Sequence, residues 1–140
     1  APGQAKGKTC SRIVELVNLY PTLTDLCGIQ PTVKLDGLSL RPLLQNPAAP
    51  WAHPALTQQQ RGAPQGTFDT GKKPAPTGFM GYSLRTDRWR YTEWDEGRKG
   101  TELYDHDNDP QEMKNLADDP ALQKTRAGLK AQLQKLLSQP

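Results

Sequence analysis

The chain has 140 residues and a formal net charge of +3, and only 34% of its residues are hydrophobic. Globular domains have nearer ~45–50% apolar residues, so this composition indicates long irregular segments or a fragment that shares apolar surface with other polypeptide. The small excess of scattered basic residues argues against nucleic acid as a partner, and the chain has no run of about 18 apolar residues that predicts a membrane span.

A first short helix is predicted after residue 18. Asn18 is a suitable N-cap, Pro21 is tolerated in the first turn, and Gly28 is a typical stop signal. The face expected to be buried consists of Leu19, Leu23 and Leu26. Ile13–Val17, just before this helix, is either a short strand or the lead into it.

A second helix and a long loop follow. Ser39 is predicted to cap a short helix that has Pro42 near its start. Its buried side is expected to consist of Leu40, Leu43 and Leu44. From Gln45 to Gly78, Pro and Gly recur every few residues, and only Ala55–Gln58 favours a brief strand. Loops this long in compact domains are usually functional or disordered.

The stretch Gly78–Trp94 predicts a β-hairpin. Apolar and polar residues alternate along it with the period of two that is typical of a half-buried strand, and Thr86–Arg88 supplies the turn. Two of the three Trp and two of the four Tyr lie here, so the core is expected to form around this hairpin.

A third strand and a terminal helix complete the predicted fold. Glu102–Asp105 resumes the strand pattern, and Asp119 with Pro120 starts an amphipathic helix. The apolar face of this helix is expected to contain Leu122, Leu129, Leu133, Leu136 and Leu137. These elements predict an α+β fold, a small antiparallel sheet with a covering C-terminal helix. The other sheet face is expected to be apolar and covered by another domain.

A metal site is not predicted in the acidic segment after the third strand. Asp105, Asp107 and Asp109 have the spacing of the first three ligands of an EF-hand calcium loop. The sixth position of such a loop requires Gly but is Pro110 here, and the twelfth requires Glu but is Leu116. We interpret these carboxylates as caps of tight turns.

The histidines and cysteines carry no specific signal. His53 and His106 are too few for a metal site and are interpreted as surface or loop residues. Cys10 and Cys27 either form a disulfide or are free, with Cys27 expected to be a buried thiol.

The hairpin combines aromatic and basic residues, which leaves two interpretations open. One is a stacking platform for an anionic polymer, and the other is ordinary core packing with arginine stems laid across the sheet. The residues concerned are Tyr82, Trp89, Tyr91 and Trp94 with Arg85, Arg88 and Arg90.

Four sequence blocks, taken in their order, resemble the C-terminal part of a sulfatase. They are VELVNLYPTLTDLCGI, LDGLSLRPLL, MGYSLRTDRWRYTEW and TELYDHDNDPQEMKNLADDP. Within that superfamily the succession is most similar to the iduronate-2-sulfatase type. The resemblance implies an alkaline-phosphatase-like α/β enzyme that acts on a sulfated sugar or glycan. Residues 1–50 would be the tail end of its catalytic domain with connecting helices, and residues 51–140 its C-terminal subdomain.

The resemblance also implies which groups the chain lacks. The family's nucleophile is a formylglycine made from Cys or Ser in a Cys/Ser-x-Pro-x-Arg motif, and its calcium is held by Asp and Asn or His. Neither Cys10, in KTCSRI, nor Cys27, in DLCGI, lies in that motif. We therefore expect no catalytic residue, no metal ligand and no bound cofactor in this chain. Calcium and formylglycine belong to the N-terminal catalytic domain expected as its partner, and the chain alone is expected to be inactive.

Substrate contact is the remaining predicted role, and it falls on the segment ALTQQQRG. By the resemblance this segment leaves a strand and passes toward the catalytic cleft, which makes Gln58, Gln60 and Arg61 candidate substrate-binding residues. The family implies a periplasmic, secreted or lysosomal-like compartment. The alternative function is a non-catalytic module that binds an anionic glycan or nucleic acid through the arginine-rich hairpin.

Overall fold

A computed structural model of the protein describes residues 6–62 and 78–138. The chain divides into two compact units, Ala1–Ala55 and Leu56–Pro140. The assignment of residues 1–50 to a catalytic domain and of residues 51–140 to a C-terminal subdomain stays a prediction. Across the described ranges, we find no helix with the length and apolar character that a membrane crossing requires.

The first unit contains two short helices, α1 (Leu19–Leu26) and α2 (Arg41–Gln45). A 3₁₀ turn over Leu16–Asn18 leads directly into α1, so Ile13–Val17 is a lead into the helix and not a strand. Asn18 precedes α1 as predicted, but its side chain does not cap the helix. Its Oδ1 accepts a hydrogen bond from the Glu15 N–H at 2.8 Å. Gly28 lies just beyond α1 with φ of 67°, which confirms the predicted stop.

The expected burial of the leucine face of α1 is wrong for Leu19 and Leu23, and Leu26 is only half-buried. Leu19 and Leu23 are 52% and 60% exposed, whereas Pro21, Thr22 and Thr24 are buried. The physical reason is polar: the Thr22 hydroxyl donates to the Asn18 carbonyl at 2.6 Å and accepts from the Leu40 N–H at 2.8 Å. These bonds direct the following chain onto the threonine face of α1.

The second helix follows its prediction more closely. Leu43 is buried, and Leu40 and Leu44 are half-buried. Ser39 lies one residue before the N-cap, where its hydroxyl accepts from the Arg41 N–H at 3.2 Å and donates to Asp25 at 2.6 Å.

The two cysteines of the first unit are free and exposed. The expectation that Cys27 is a buried thiol is therefore wrong.

The second unit carries a four-stranded antiparallel sheet in the order β1-β2-β3-β4. The strands are β1 (Ala55–Arg61), β2 (Phe79–Arg85), β3 (Trp89–Trp94) and β4 (Thr101–Asp105). The predicted hairpin is confirmed, and the Thr86 N–H closes its turn on the Trp89 carbonyl at 2.8 Å. The third predicted strand is confirmed as β4.

Strand β1 is longer than predicted. It continues through Gln59, Gln60 and Arg61, which were expected to lie in a loop. The expectation failed because an edge strand forms its backbone hydrogen bonds with one neighbouring strand. Such a strand can therefore be polar throughout, without the alternation of apolar residues that predicts a strand. Residues 63–77, the remainder of the predicted long loop before Gly78, lie outside the described residues.

The core lies between the sheet and a terminal helix, α3 (Gln123–Leu137). Leu84, Tyr91 and Leu103 occupy successive positions across β2, β3 and β4, and each is at most 1% exposed. From α3, Leu129 and Leu133 are buried against them, with Leu122 and Leu136 partly buried at the edge. Leu137 was also predicted to lie on this face, but it is 43% exposed, so that part of the prediction is wrong. The α+β architecture is thereby confirmed.

The start of the terminal helix also follows its prediction. The Asp119 carboxylate accepts a hydrogen bond from the Ala121 N–H at 2.9 Å, and Pro120 begins a 3₁₀ turn that ends at Leu122. Proline is suited to this first position because its missing N–H would have had no partner there. The α-helix proper begins one turn later, at Gln123.

Candidate functional site

The sheet face opposite α3, called here the polar face, carries a groove of about 100 Å³. Because side chains alternate along a strand, the residues flanking Leu84, Tyr91 and Leu103 point to this face. The groove is lined by Thr57, Gln59, Arg61, Gly81, Ser83, Arg90, Thr92, Trp94 and Glu102. The expectation of an apolar face here is wrong. Apart from Gly81 and Trp94, every residue that lines the groove has a polar or charged side chain.

Trp94 is the centre of the polar face. Its ring lies above the backbone of Gly81, its partner across the hairpin: a Cβ atom on Gly81 would be 2.2 Å from the nearest ring carbon. Its indole N–H donates to Glu102 Oε1 at 2.8 Å, and the Phe79 ring meets it edge-on with centroids 6.3 Å apart. Trp94 is only 8% exposed, so this indole is a fixed part of the groove.

Arg61 is stacked on this indole. Its guanidinium carbon lies 3.7 Å from the centroid of the Trp94 ring, a cation–π distance. Within residues 6–62 and 78–138, no acidic side chain forms an ion pair with Arg61. Stacking uses the flat face of the guanidinium, whereas its N–H donors lie along the edge. The arrangement therefore presents a held cation with donor groups suited to an oxyanion.

Two arginines of the hairpin, Arg88 and Arg90, are in a different state, because carboxylates already hold them. Arg88 donates to both oxygens of Asp105 at 2.8 and 2.7 Å, and Arg90 donates to both oxygens of Glu112 at 2.8 and 2.6 Å. The bond from Arg88 holds the pKa of Asp105 well below its usual range. Burial raises the pKa of Glu112, but hydrogen bonds from Arg90 and His106 outweigh it and leave that pKa lowered.

The stacking-platform interpretation of the hairpin therefore loses its support. Tyr91 is 1% exposed, and burial together with Glu93 raises the pKa of its hydroxyl far above the usual value. Arg85 donates to the Thr86 carbonyl, and Arg88 covers the ring of Trp89 at 4.6 Å. Core packing with arginine stems across the sheet describes this segment.

A buried carboxylate lies on the other side of the sheet, toward α3. Glu93 is 6% exposed, accepts from the Tyr91 hydroxyl at 2.6 Å and pairs with Lys130 Nζ of α3 at 2.9 Å. A buried charge is costly unless it is paired and hydrogen-bonded, and here both conditions are met. We assign this cluster to the attachment of the helix.

The three candidate substrate residues are separated by the sheet. Arg61 lines the groove, but Gln58 and Gln60 alternate to the opposite face, the side on which Leu56 packs against the core. Gln59 lies in the groove with Arg61, although it was not among the predicted substrate-binding residues. Extending the period of two from Leu56 along the strand would have identified it.

The described residues provide no metal centre. In 6–62 and 78–138, no three His, Cys, Asp or Glu side chains converge as a metal-ligand set. Asp105 instead accepts from Arg88, from the Asn108 amide at 2.8 Å and from the Asp107 N–H at 3.2 Å. The interpretation as caps is confirmed for Asp105 and for Asp109, whose carboxylate accepts from the Lys114 N–H at 2.9 Å. Asp107 instead pairs with Arg88 Nε at 3.4 Å.

Comparison with known proteins shows that this chain is similar to the C-terminal part of sulfatases. Residues 74–139 match the family model described as N-sulphoglucosamine sulphohydrolase, C-terminal. A Delta 4,5-hexuronate-2-O-sulfatase of Bacteroides thetaiotaomicron is 34% identical over 117 residues, which cover 84% of this chain and 22% of that protein. Arylsulfatase K of Homo sapiens is 32% identical over 127 residues, which cover 83% and 21% respectively.

Solved structures give the same picture for the fold. A 2-O GAG sulfatase aligns with a TM-score of 0.68 and 31% identity, covering 86% of this chain and 24% of its own. A phosphonate monoester hydrolase from Silicibacter pomeroyi aligns with a TM-score of 0.71 and 27% identity, covering 96% and 27% respectively. The chain spans about a fifth of the length of the curated relatives described above.

Proposed function

Because the chain is similar to sulfatases and residues 74–139 match the model of a sulfatase C-terminal region, we propose that it is part of an enzyme that hydrolyses a sulfate ester on a glycan. The enzyme is proposed to be of the iduronate-2-sulfatase type, acting on a sugar that bears a carboxylate as well as the sulfate. Two relatives support this substrate class by name, the hexuronate-2-O-sulfatase and the 2-O GAG sulfatase.

The observation that carries the substrate class is the state of Arg61. Arg88 and Arg90 are neutralised by carboxylates, whereas Arg61 is fixed on Trp94 and has no acidic partner among the described residues. A guanidinium binds a carboxylate through two parallel hydrogen bonds, which gives both energy and orientation. Arg61 is therefore proposed to hold the uronate carboxylate, with Gln59 beside it in the groove.

Bond cleavage is assigned to the rest of the enzyme. Cys10 and Cys27 lie outside the formylglycine motif, and the residues described in this chain do not supply a calcium-binding set. A formylglycine nucleophile, a calcium ion and an N-terminal catalytic domain as partner therefore remain predictions for the complete protein, as does an extracytoplasmic or lysosomal compartment. The proposed task of this chain is to bind and orient substrate.

The test is a kinetic comparison in the complete protein, produced with a formylglycine-generating enzyme. Arg61→Ala is expected to lower kcat/KM for a hexuronate 2-O-sulfate by roughly 10- to 150-fold, equivalent to roughly 1.5–3 kcal/mol for a charged hydrogen bond. Turnover of a neutral aryl sulfate should be unchanged, because that substrate has no carboxylate. Arg98→Ala is the matched control, since Arg98 is an exposed arginine paired with Asp95 and Glu96.

Other outcomes would change the proposal. Equal loss on both sulfates, or loss on neither, removes Arg61 from the substrate site. Turnover of an aryl phosphonate monoester in place of sulfates would favour the second candidate, a phosphonate monoester hydrolase, which the TM-score of 0.71 over 96% of the chain supports. Tight, salt-sensitive binding of a heparin-like polymer by the 140-residue chain alone would favour the non-catalytic module.

A further inference from the structure

An arginine on an edge strand is poorly suited to precise binding unless something holds it. Arg61 is the last residue of β1, is exposed, and has a long side chain whose rotamer freedom is lost on binding a ligand. A contact that fixes the guanidinium before the ligand arrives reduces this cost. The polar face supplies such a contact in the ring of Trp94, 3.7 Å away.

The ring is itself held from two directions. Gly81 allows it to lie close to the backbone of β2, since a side chain there would begin 2.2 Å from a ring carbon. Glu102 accepts the indole N–H from β4 at 2.8 Å and thereby fixes the rotation of the ring. The two strands beside β3, which are β2 and β4, thus contribute one residue each to the orientation of this indole.

We infer that Trp94 is a positioning residue for Arg61, and that Gly81 and Glu102 hold Trp94 in the orientation that this task requires. The inference rests on the proposed contact between Arg61 and the substrate carboxylate. It adds that the groove is a prearranged carboxylate site, in which the affinity for uronate depends on residues that do not touch it.

A double-mutant cycle tests the inference in the complete protein. Trp94→Leu is expected to lower kcat/KM for the hexuronate 2-O-sulfate by roughly three- to tenfold, through KM. This loss corresponds to roughly 0.6–1.4 kcal/mol, between the values of exposed and desolvated cation–π contacts. Trp94→Phe, which keeps an aromatic face, should retain most of the activity. In the Arg61→Ala background, Trp94→Leu should cause no further loss, because its effect passes through Arg61.

Two controls separate positioning from simple stability. Trp89→Leu removes the other arginine-stacked tryptophan, whose Arg88 is held by Asp105, and should lower the melting temperature without a carboxylate-specific loss. Glu102→Gln keeps an acceptor for the indole, whereas Glu102→Leu removes it and should reproduce part of the Trp94→Leu effect. In arginine-labelled protein, the upfield ring-current shift of the Arg61 side-chain protons should disappear with Trp94→Leu and persist with Glu102→Gln.

The outcomes identify which proposal fails. If Arg61→Ala leaves hexuronate turnover unchanged, the substrate contact and this inference are both overturned. If Arg61→Ala is impaired but Trp94→Leu is fully active, or if their losses are additive, only the inference is overturned. An Arg61 proton shift that does not respond to Trp94→Leu overturns it equally, whatever the kinetics show.

Discussion

The two units of the chain use similar apolar patterns to opposite effect. In the second unit, the alternating residues of the hairpin and the leucines of α3 bury one another, and Leu84 and Leu103 are 0% exposed. In the first unit, the leucine face of α1 is left at 52% exposure for Leu19 and 60% for Leu23. Periodicity therefore identifies which face of an element is apolar, but it does not identify what covers that face.

What holds the first unit together is chiefly polar contact and close backbone approach. The Thr22 hydroxyl joins α1 to the Leu40 N–H, and Asp25 binds both Ser39 and Arg41 at 2.6 and 2.8 Å. A Cβ atom on Gly37 would lie 2.1 Å from the Val17 carbonyl oxygen. The second unit, by contrast, is held by an apolar core. Three experiments test this difference between the two units.

The largest effect is expected from the matched pair Leu84→Ala and Leu23→Ala. Leu84 is fully buried, so truncating it should cost about 2–5 kcal/mol of unfolding free energy through lost transfer energy and a residual cavity. Leu23 is 60% exposed, and its truncation should cost less than about 0.5 kcal/mol. Urea denaturation of the 140-residue chain measures both. Similar costs at the two sites would mean that the leucine face of α1 is covered, and would contradict the difference between the units.

An intermediate effect is expected from Gly37→Ala. The added methyl group would meet the backbone of Val17, which has little freedom to move, so we expect a cost of about 1–3 kcal/mol confined to the first unit. Amide hydrogen exchange should show faster exchange in α1 and unchanged protection in β2 and β3. Gly128→Ala is the control, because a Cβ at Gly128 in α3 meets nothing within 4 Å and should slightly stabilise that helix. Loss of protection in both units would show that they do not unfold separately.

The smallest effect is a dependence on pH. The hydrogen bond from Arg88 lowers the pKa of Asp105 in the folded protein. The resulting stabilisation is fully present above the unfolded pKa of ~3.9 and is lost progressively as pH falls from there through the lowered folded-state pKa. Asp105→Asn should therefore lower the denaturation midpoint at pH 7, and its difference from wild type should narrow progressively below about pH 4.

The first unit offers a control for that pH dependence. Hydrogen bonds from Ser39 and Arg41 lower the pKa of Asp25 as well, but its side chain is 37% exposed, whereas that of Asp105 is 7% exposed. Solvent screens the exposed pair, so Asp25→Asn should show the same sign with a smaller change in midpoint. A difference between wild type and Asp105→Asn that stays constant from pH 7 to pH 2 would mean that the carboxylate charge is not what stabilises the sheet.

The sequence predicted best what local periodicity controls. The hairpin turn at Thr86–Arg88 sets the strand register, and this register in turn places Gly81 opposite Trp94, so the floor of the groove was implicit in the sequence. The position of Arg61 was not, because it depends on how β1 lies beside β2 after a long intervening segment, and no local pattern encodes that register. The assignment of Gln59 to a loop failed because a polar edge strand carries little of the alternation on which strand prediction depends.

The position of β1 at the border of the sheet has a consequence for solubility. In the described part of the chain β1 pairs only with β2, so its outer row of backbone N–H and C=O groups is a template on which another copy could add a strand. Three consecutive glutamines on such an edge favour self-association, since stacked glutamines form hydrogen-bonded ladders. The charge of Arg61 at the end of this run opposes it. The residue proposed to recognise substrate is therefore also expected to oppose aggregation, so a charge-retaining Arg61→Lys variant belongs beside Arg61→Ala in every kinetic comparison.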